Sequence, residues 1–271
     1  MLYINYFFYK NKLIFFLILK IAILTFKIIV VKKLNKALKG YKHICFLDFE
    51  GTQFTHEMIA YGAVFVTLNK DGLIKNKKPI LKSIVKAKNK VGSFVENLTG
   101  ISDYDVKSRG VPFSQAIKDL KKYCGLYFNK TLFVTFGNHD FRIFSQSVAY
   151  NLDTPRDIAQ VFQKNFFDFQ SFIMEFCKDE QNNPYSLENY LKVYDIEFKG
   201  TAHDAGDDAY NLMLLYEAFL TKKDITLREY LKCLSNAHNL AYPIQKTVQK
   251  LSRGEEVTSS DFALFAKEYL S

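Results

Sequence analysis

His43-Ile44-Cys45-Phe46-Leu47-Asp48-Phe49-Glu50 is an apolar run that ends in two acids placed two residues apart. Its length and its branched and aromatic content predict a buried strand. Side chains two apart on a strand point to one face, so Asp48 and Glu50 leave the same side of the core. Burying two carboxylates together is costly unless something pairs them, and a hard divalent cation is the partner such clusters suit. Two later stretches carry more groups of this kind: Asp140, and His203-Asp204-Ala205-Gly206-Asp207-Asp208.

Around this strand the chain reads as one α/β domain. Ile59 to Leu68 predicts a second strand that closes at the turn Asn69-Lys70-Asp71-Gly72, and Ile80 to Val85 predicts a third, so the domain opens as an antiparallel meander. From Ser93 helices dominate. Phe113, Ala116, Ile117, Leu120 and Cys124 recur at helical spacing behind Pro112. Thr131 to Phe136 is a compact strand closed by Gly137, which places Asp140 just past a strand end, where α/β sheets commonly bind ligands. Helices are expected at about 166–178, at 186–194 with Ser186 as its cap, and from about Asp204 to Leu220, the last with Ala209, Leu212, Met213, Tyr216 and Leu220 as its buried stripe. Residues 223–271 read as short helices, an appendage without evident chemistry.

At 271 residues and 48% hydrophobic content the chain can bury a sizeable core. The net charge of +9 is misleading as a sign of nucleic-acid binding. Residues 1–42 hold nine Lys and no Asp, Glu or Arg, and 37 basic residues less those nine leaves 28, against 28 acidic. The remainder is neutral, so any basic groove must come from local placement. Cys45, Cys124, Cys177 and Cys233 are too far apart for a zinc set or a redox pair, and free buried thiols in a reducing cytoplasm are expected.

The hydrophobic segment 1–31 is read separately. Residues 13–31 are almost wholly apolar and just long enough to cross a bilayer, but Lys20 and Lys27 each cost about 2.5 to 3.5 kcal/mol near its centre. Two readings stand. The run is a membrane attachment, with the lysines after it keeping the domain on the cytoplasmic face, or it is translated sequence upstream of a true start near Val30 or Val31. A chain shortened to begin near Val31 is expected to be recovered in solution and fully active.

An Asp-x-Glu triplet arises roughly once by chance in a chain of this length, so alone it decides little. His203-x-Ala-x-x-Asp208 is rarer, and all three motifs in order, each at a strand end or helix start, are hard to assign to coincidence. Together Asp48-Phe49-Glu50, Thr135-Phe136-Gly137-Asn138-His139-Asp140 and His203-Asp204-Ala205-Gly206-Asp207-Asp208-Ala209 resemble the motifs of the DEDDh 3′→5′ exonucleases, the superfamily of polymerase proofreading subunits, RNase T, oligoribonuclease and the ERI-like exoribonucleases. Glu57 to Val64 resembles the family's second strand, and Leu98-Thr99-Gly100-Ile101 its turn before the Gly110-Val111-Pro112-Phe113 helix entry. The resemblance covers residues 43–220. It implies a ribonuclease H-like exonuclease fold, with a mixed central sheet whose antiparallel meander is followed by parallel strands, flanked by helices. It also implies that Asp48, Glu50, Asp140 and Asp208 hold two Mg²⁺ or Mn²⁺ ions, that His203 is the general base, and that the partner is the 3′ end of RNA or single-stranded DNA.

Elementary chemistry agrees with that implication. Like charges 4 Å apart repel by about 4 kcal/mol at an effective dielectric near 20, so four converging carboxylates need cations. A histidine near its ordinary pKa can take a water's proton at neutral pH. His203 and Asp208 are five apart, about 140° around a helix, so His203 is expected on the loop before the helix, with Asp204 as N-cap and Asp208 one turn inside. Asp204 and Asp207 are then helix-start carboxylates with structural roles. His139 and His43 read as ordinary loop and strand residues. Thr52 and Phe54, just after the first motif, are candidates to hold the terminal nucleotide, since stacking a base on an aromatic is worth about 1 to 3 kcal/mol. The rival readings are a catalytically silent exonuclease fold that binds nucleic acid or protein, and a membrane-attached scaffold indifferent to divalent ions.

Overall fold

The computed structural model describes residues 33–34, 36–38, 40–237 and 240–270; the hydrophobic segment 1–31 lies outside them. Among the described residues no helix is long and apolar enough to cross a membrane. The chain divides into two compact units. One holds Leu38–Phe172 and Ser186–Thr221, and the other holds Ile173–Tyr185 and Lys222–Ser271 with the residues before Leu38.

The first unit is built on a six-stranded mixed sheet. Strands β1 (His43–Gly51) and β2 (Met58–Leu68) pair antiparallel, and the far edge of β2 takes two short strands, β3 (Ile74–Lys77) and β4 (Leu81–Ile84). The strand predicted at Ile80 to Val85 is present as β4, whereas β3 has no counterpart in the sequence reading; Pro79, which has no N–H to give the ladder, separates the two. Helices α1 (Ser93–Thr99), α2 (Asp103–Arg109) and α3 (Phe113–Cys124) follow, and after a 3₁₀ turn at Gly125–Lys130 comes β5 (Thr131–Thr135), parallel to β1. The chain returns through α4 (His139–Tyr150) and α5 (Arg156–Lys164) to β6 (Phe166–Asp168), which runs parallel to β5.

That last strand corrects the expected helix at 166–178. Helical periodicity is present there, but the open edge of β5 takes Phe166–Asp168 as a ladder, and only the short α6 (Phe169–Ile173) is helical. Helix α7 (Leu187–Val193) starts at Ser186, whose hydroxyl accepts from the Asn189 N–H. Helix α8 (Ala205–Thr221) buries Ala209, Leu212, Met213, Tyr216 and Leu220.

Alternation along β1 decides what each layer receives. Cys45, Leu47 and Phe49 join Phe113, Ile117, Phe144 and Phe162 in the core beneath α3, α4 and α5. Phe46 points to the other face, where its ring meets Tyr216 of α8 at 5.3 Å. Asp48 and Glu50 continue the Phe46 face, so the strand that anchors α8 also delivers two carboxylates toward its start.

The second unit is helical, with α9 (Lys223–Ser235), α10 (Tyr242–Ser252) and α11 (Ser259–Leu270). Thr258 and Asp261 close the start of α11 reciprocally, the Asp261 N–H donating to the Thr258 hydroxyl and the Thr258 N–H to the Asp261 carboxylate, while Lys250 pairs with Asp261 at 2.9 Å. Glu229 is buried and accepts from Arg228 and Lys232 at 3.1 and 2.8 Å.

Candidate active site

A cavity of 410 Å³ at the carboxyl end of β1 is lined by Asp48, Glu50, Asp140, His203 and Asp208. Three separate elements deliver them. β1 carries Asp48 and Glu50 on one face, the first turn of α4 carries Asp140, and the start of α8 carries Asp208, with His203 on the loop before it.

Asp140 reaches the site because the sheet opens there. The β1–β5 ladder ends at the Phe46–Val134 pair, and beyond it the Phe49 N–H donates to Asp140 Oδ1 at 2.8 Å. The turn into α4 is set by Gly137, whose φ of 102° suits a residue without Cβ, and its N–H donates to Asp168 Oδ1 at 2.9 Å. Asp168, at the end of the strand missing from the sequence reading, thereby holds the segment that presents Asp140.

The start of α8 reaches the site because Gly62 allows it. Gly62 pairs with Asp48 across the β1–β2 ladder, and a Cβ there would sit 1.9 Å from the Ala205 carbonyl oxygen. Only glycine permits so close an approach. At the helix start Asp204 Oδ1 accepts from the Gly206 and Asp207 N–H groups at 3.0 and 3.2 Å, as expected of an N-cap, and its other oxygen pairs with Lys82 at 2.7 Å. Asp207 accepts from the Thr201 N–H at 2.9 Å. Both carboxylates are thus engaged in shaping the turn. His203 has a φ of 66° and donates its N–H to Asp208 Oδ2 at 2.8 Å, which fixes loop and helix to each other.

The electrostatics are those of crowded carboxylates. Burial, then Asp140, Glu50 and Asp208, pushes Asp48 well above its ordinary range, and burial with Glu50 nearby does the same to Asp140 against the Phe49 N–H. Burial followed by Asp208 raises Glu50 to about 7, and burial raises Asp208 to about 6. Asp204 goes the other way: although burial opposes it, Lys82 holds it low. Among the described residues no Lys or Arg pairs with Asp48, Glu50, Asp140 or Asp208. One ligand atom each from Glu50, His203 and Asp208 lie within 4.8 Å of one another. Four uncompensated carboxylates and an imidazole form an oxygen-rich donor set that fits Mg²⁺ or Mn²⁺. His203 and Asp208 reach the same cavity, the one from the loop and the other from the helix, as the sequence reading expects.

The candidate nucleotide contacts fare differently. Thr52 lines the cavity but is buried, and its hydroxyl accepts from the Glu57 N–H at 2.9 Å and bonds Thr55 at 2.7 Å, so it is spent on closing the loop. Phe54 is 80% exposed and is not among the lining residues, because the loop turns it to solvent. Sequence reasoning missed Phe94 and Leu98 of α1, which do line the cavity. The sequence held no signal for them, since what marks them out is structural: α1 carries Phe94, Val95 and Leu98 yet buries none of its residues. Gln53 ties α1 to the site, accepting from the Phe94 N–H at 3.3 Å. His56 and His139, edge to face at 5.1 Å, also line the cavity.

The mixed sheet and its flanking helices form a ribonuclease H-like exonuclease fold. The model of the RNase T exonuclease family matches residues 45–216, and the chain belongs to that family. Among solved structures it is similar to the nuclease domain of 3′hExo, a DEDDh family member, bound to rAMP (20% identity, TM-score 0.55, 68% of this chain and 94% of that one). It is also similar to cell-death related nuclease 4 (20%, TM-score 0.53, 67% and 64%) and to E. coli Exonuclease I in complex with a dT13 oligonucleotide (16%, TM-score 0.52, 70% and 43%). These likenesses establish the fold. Beyond the isolated nuclease domain the chain spans less than two thirds of such structures, 61% of a full-length 3′-exonuclease for example. No curated protein matches the chain.

Proposed function

We propose that the chain is a divalent-metal-dependent 3′→5′ exonuclease that hydrolyses phosphodiester bonds at the 3′ end of RNA or single-stranded DNA, with residues 43–220 as its catalytic domain and 223–271 as a helical appendage. The observation that carries the reading is the convergence of Asp48, Glu50, Asp140, Asp208 and His203 in one open cavity. Asp48, Glu50, Asp140 and Asp208 would hold two Mg²⁺ or Mn²⁺ ions. Such ions, when bound, neutralise charge on the scissile phosphate and make water a better nucleophile.

The remaining work belongs to the chain. A ring nitrogen of His203, which is exposed at the cavity mouth, takes the proton of the attacking water. The Phe49 N–H and the Gly137–Asp168 contact keep Asp140 turned inward. Phe94 and Leu98 offer an apolar wall to the terminal base. Metal-dependent release of mononucleotides from a single strand, lost in Asp208→Ala and in His203→Ala, is the expected result; equal activity in the variants would contradict it.

A further inference from the structure

The opposite end of β1 carries a second cavity, of 570 Å³, between Gly40–His43 and the Tyr127–Lys130 turn. His43 begins the strand that Glu50 nearly ends, so seven residues, about 23 Å of strand, separate the two cavities. Tyr127, 49% exposed, stacks on the His43 ring at 3.9 Å and 19°. His43 lies in turn nearly parallel to Phe65 at 5.8 Å. Lys42 and Lys130 flank this stack closely enough to lower the His43 pKa, after burial itself. A smaller cavity of 290 Å³ shares Tyr127 and adds Phe65, Lys77 and Lys78.

Neither cavity has an acidic lining residue. Lys77 and Lys78 rest over the rings of Tyr210 and Phe65, at 4.8 and 5.1 Å from the ring centroids. Among the described residues none of the four lysines pairs with a carboxylate. Outside residues 1–42 the chain is charge-balanced, so Lys77, Lys78 and Lys130, gathered here beside Lys42 around stacked aromatics, are a local feature, of the kind that tracks a phosphate backbone and stacks bases.

We infer that this surface is a second binding site for single-stranded nucleic acid, in which a base stacks on Tyr127 while the adjoining phosphates lie against Lys42 and Lys130. With no carboxylate in it the site holds a strand without cutting it, and it would retain the part of a substrate remote from the 3′ end. The class of ligand rests on the exonuclease reading.

The test is fluorescence anisotropy of the full chain with labelled poly(U) and poly(dT) in EDTA, alongside hydrolysis of a dinucleotide in Mn²⁺. Tyr127→Ala should weaken binding of the long strand roughly tenfold, and Tyr127→Phe should retain it. Lys42→Glu with Lys130→Glu should flatten the dependence of log affinity on log salt by about 1.4, from about 0.7 per phosphate. Dinucleotide hydrolysis should not change. Unaltered long-strand affinity in all variants overturns the inference. So does equally strong competition by polyglutamate, which would assign the surface to an acidic protein, or by free nucleoside monophosphate, which would assign it to a single nucleotide. Binding that the variants abolish in an enzyme that hydrolyses nothing would sink the exonuclease reading and leave this one standing.

Discussion

The Phe49 backbone N–H donates to Asp140 Oδ1 at 2.8 Å, so a carboxylate from α4 is tied to the strand that carries Asp48 and Glu50. Two sequence motifs 90 residues apart are thereby held in one geometry. Asp140→Asn retains an acceptor for that N–H and is expected to fold with near wild-type stability while losing activity by at least about a hundredfold, as the metal-ligand role proposed for Asp140 predicts. Asp140→Ala should in addition lose about 1 to 3 kcal/mol of stability, from the buried donor left unpaired. Urea titration and an oligonucleotide assay separate the two effects.

Gly62 is the second positional constraint. A methyl group there meets the Ala205 carbonyl, so Gly62→Ala must displace the start of α8, with His203 and Asp208 on it. We expect about 1 to 3 kcal/mol of destabilisation and a large fall in kcat, although no ligand has been touched. Normal turnover in Gly62→Ala would show that α8 does not approach β2 as described.

The carboxylate cluster is expected to make stability depend on pH and on divalent ions. Glu50, at about 7, and Asp208, at about 6, lie above the values near 4 that they have in an unfolded chain. In that interval the folded protein binds more protons at these two sites than the unfolded one, so their contribution to stability is full below about pH 4 and is lost as pH rises through 7. In EDTA the melting temperature should therefore fall on going from pH 5 to pH 7.5 by the share these groups contribute. Mn²⁺ at about 100 times its Kd should restore about 2.7 kcal/mol at the higher pH. A protein whose melting is indifferent to Mn²⁺ at pH 7.5 would fit the scaffold reading, in which the acidic residues are merely solvated.

Phe94 is the residue we expect to govern the terminal nucleotide. Phe94→Ala should raise KM roughly tenfold with a smaller effect on kcat, whereas Phe54→Ala, outside the cavity, should leave both close to wild type. Steady-state kinetics on one short substrate decides between them.

Local chemistry explains which parts of this arrangement could be read in advance. Asp48, Glu50 and the α8 start are legible because a strand's two-residue period and an N-cap's preference for Asp are local rules. β6 was not, because Phe166–Asp168 looks helical by itself and becomes a strand only beside β5. The role of Asp168 in holding Gly137 was hidden with it. Phe94 escaped notice because one phenylalanine among 26 is usually core, and only its exposure on a helix that buries nothing marks it out.

The most direct test of the central claim uses one oligonucleotide labelled in turn at its 3′ and 5′ ends, as RNA and as DNA, incubated with Mg²⁺ or Mn²⁺. Wild type should release the 3′ label at once as a mononucleotide and shorten the 5′-labelled strand as a ladder, and Asp208→Ala and His203→Ala should do neither. Internal cleavage, release from the 5′ end, or equal degradation by both variants would contradict the account.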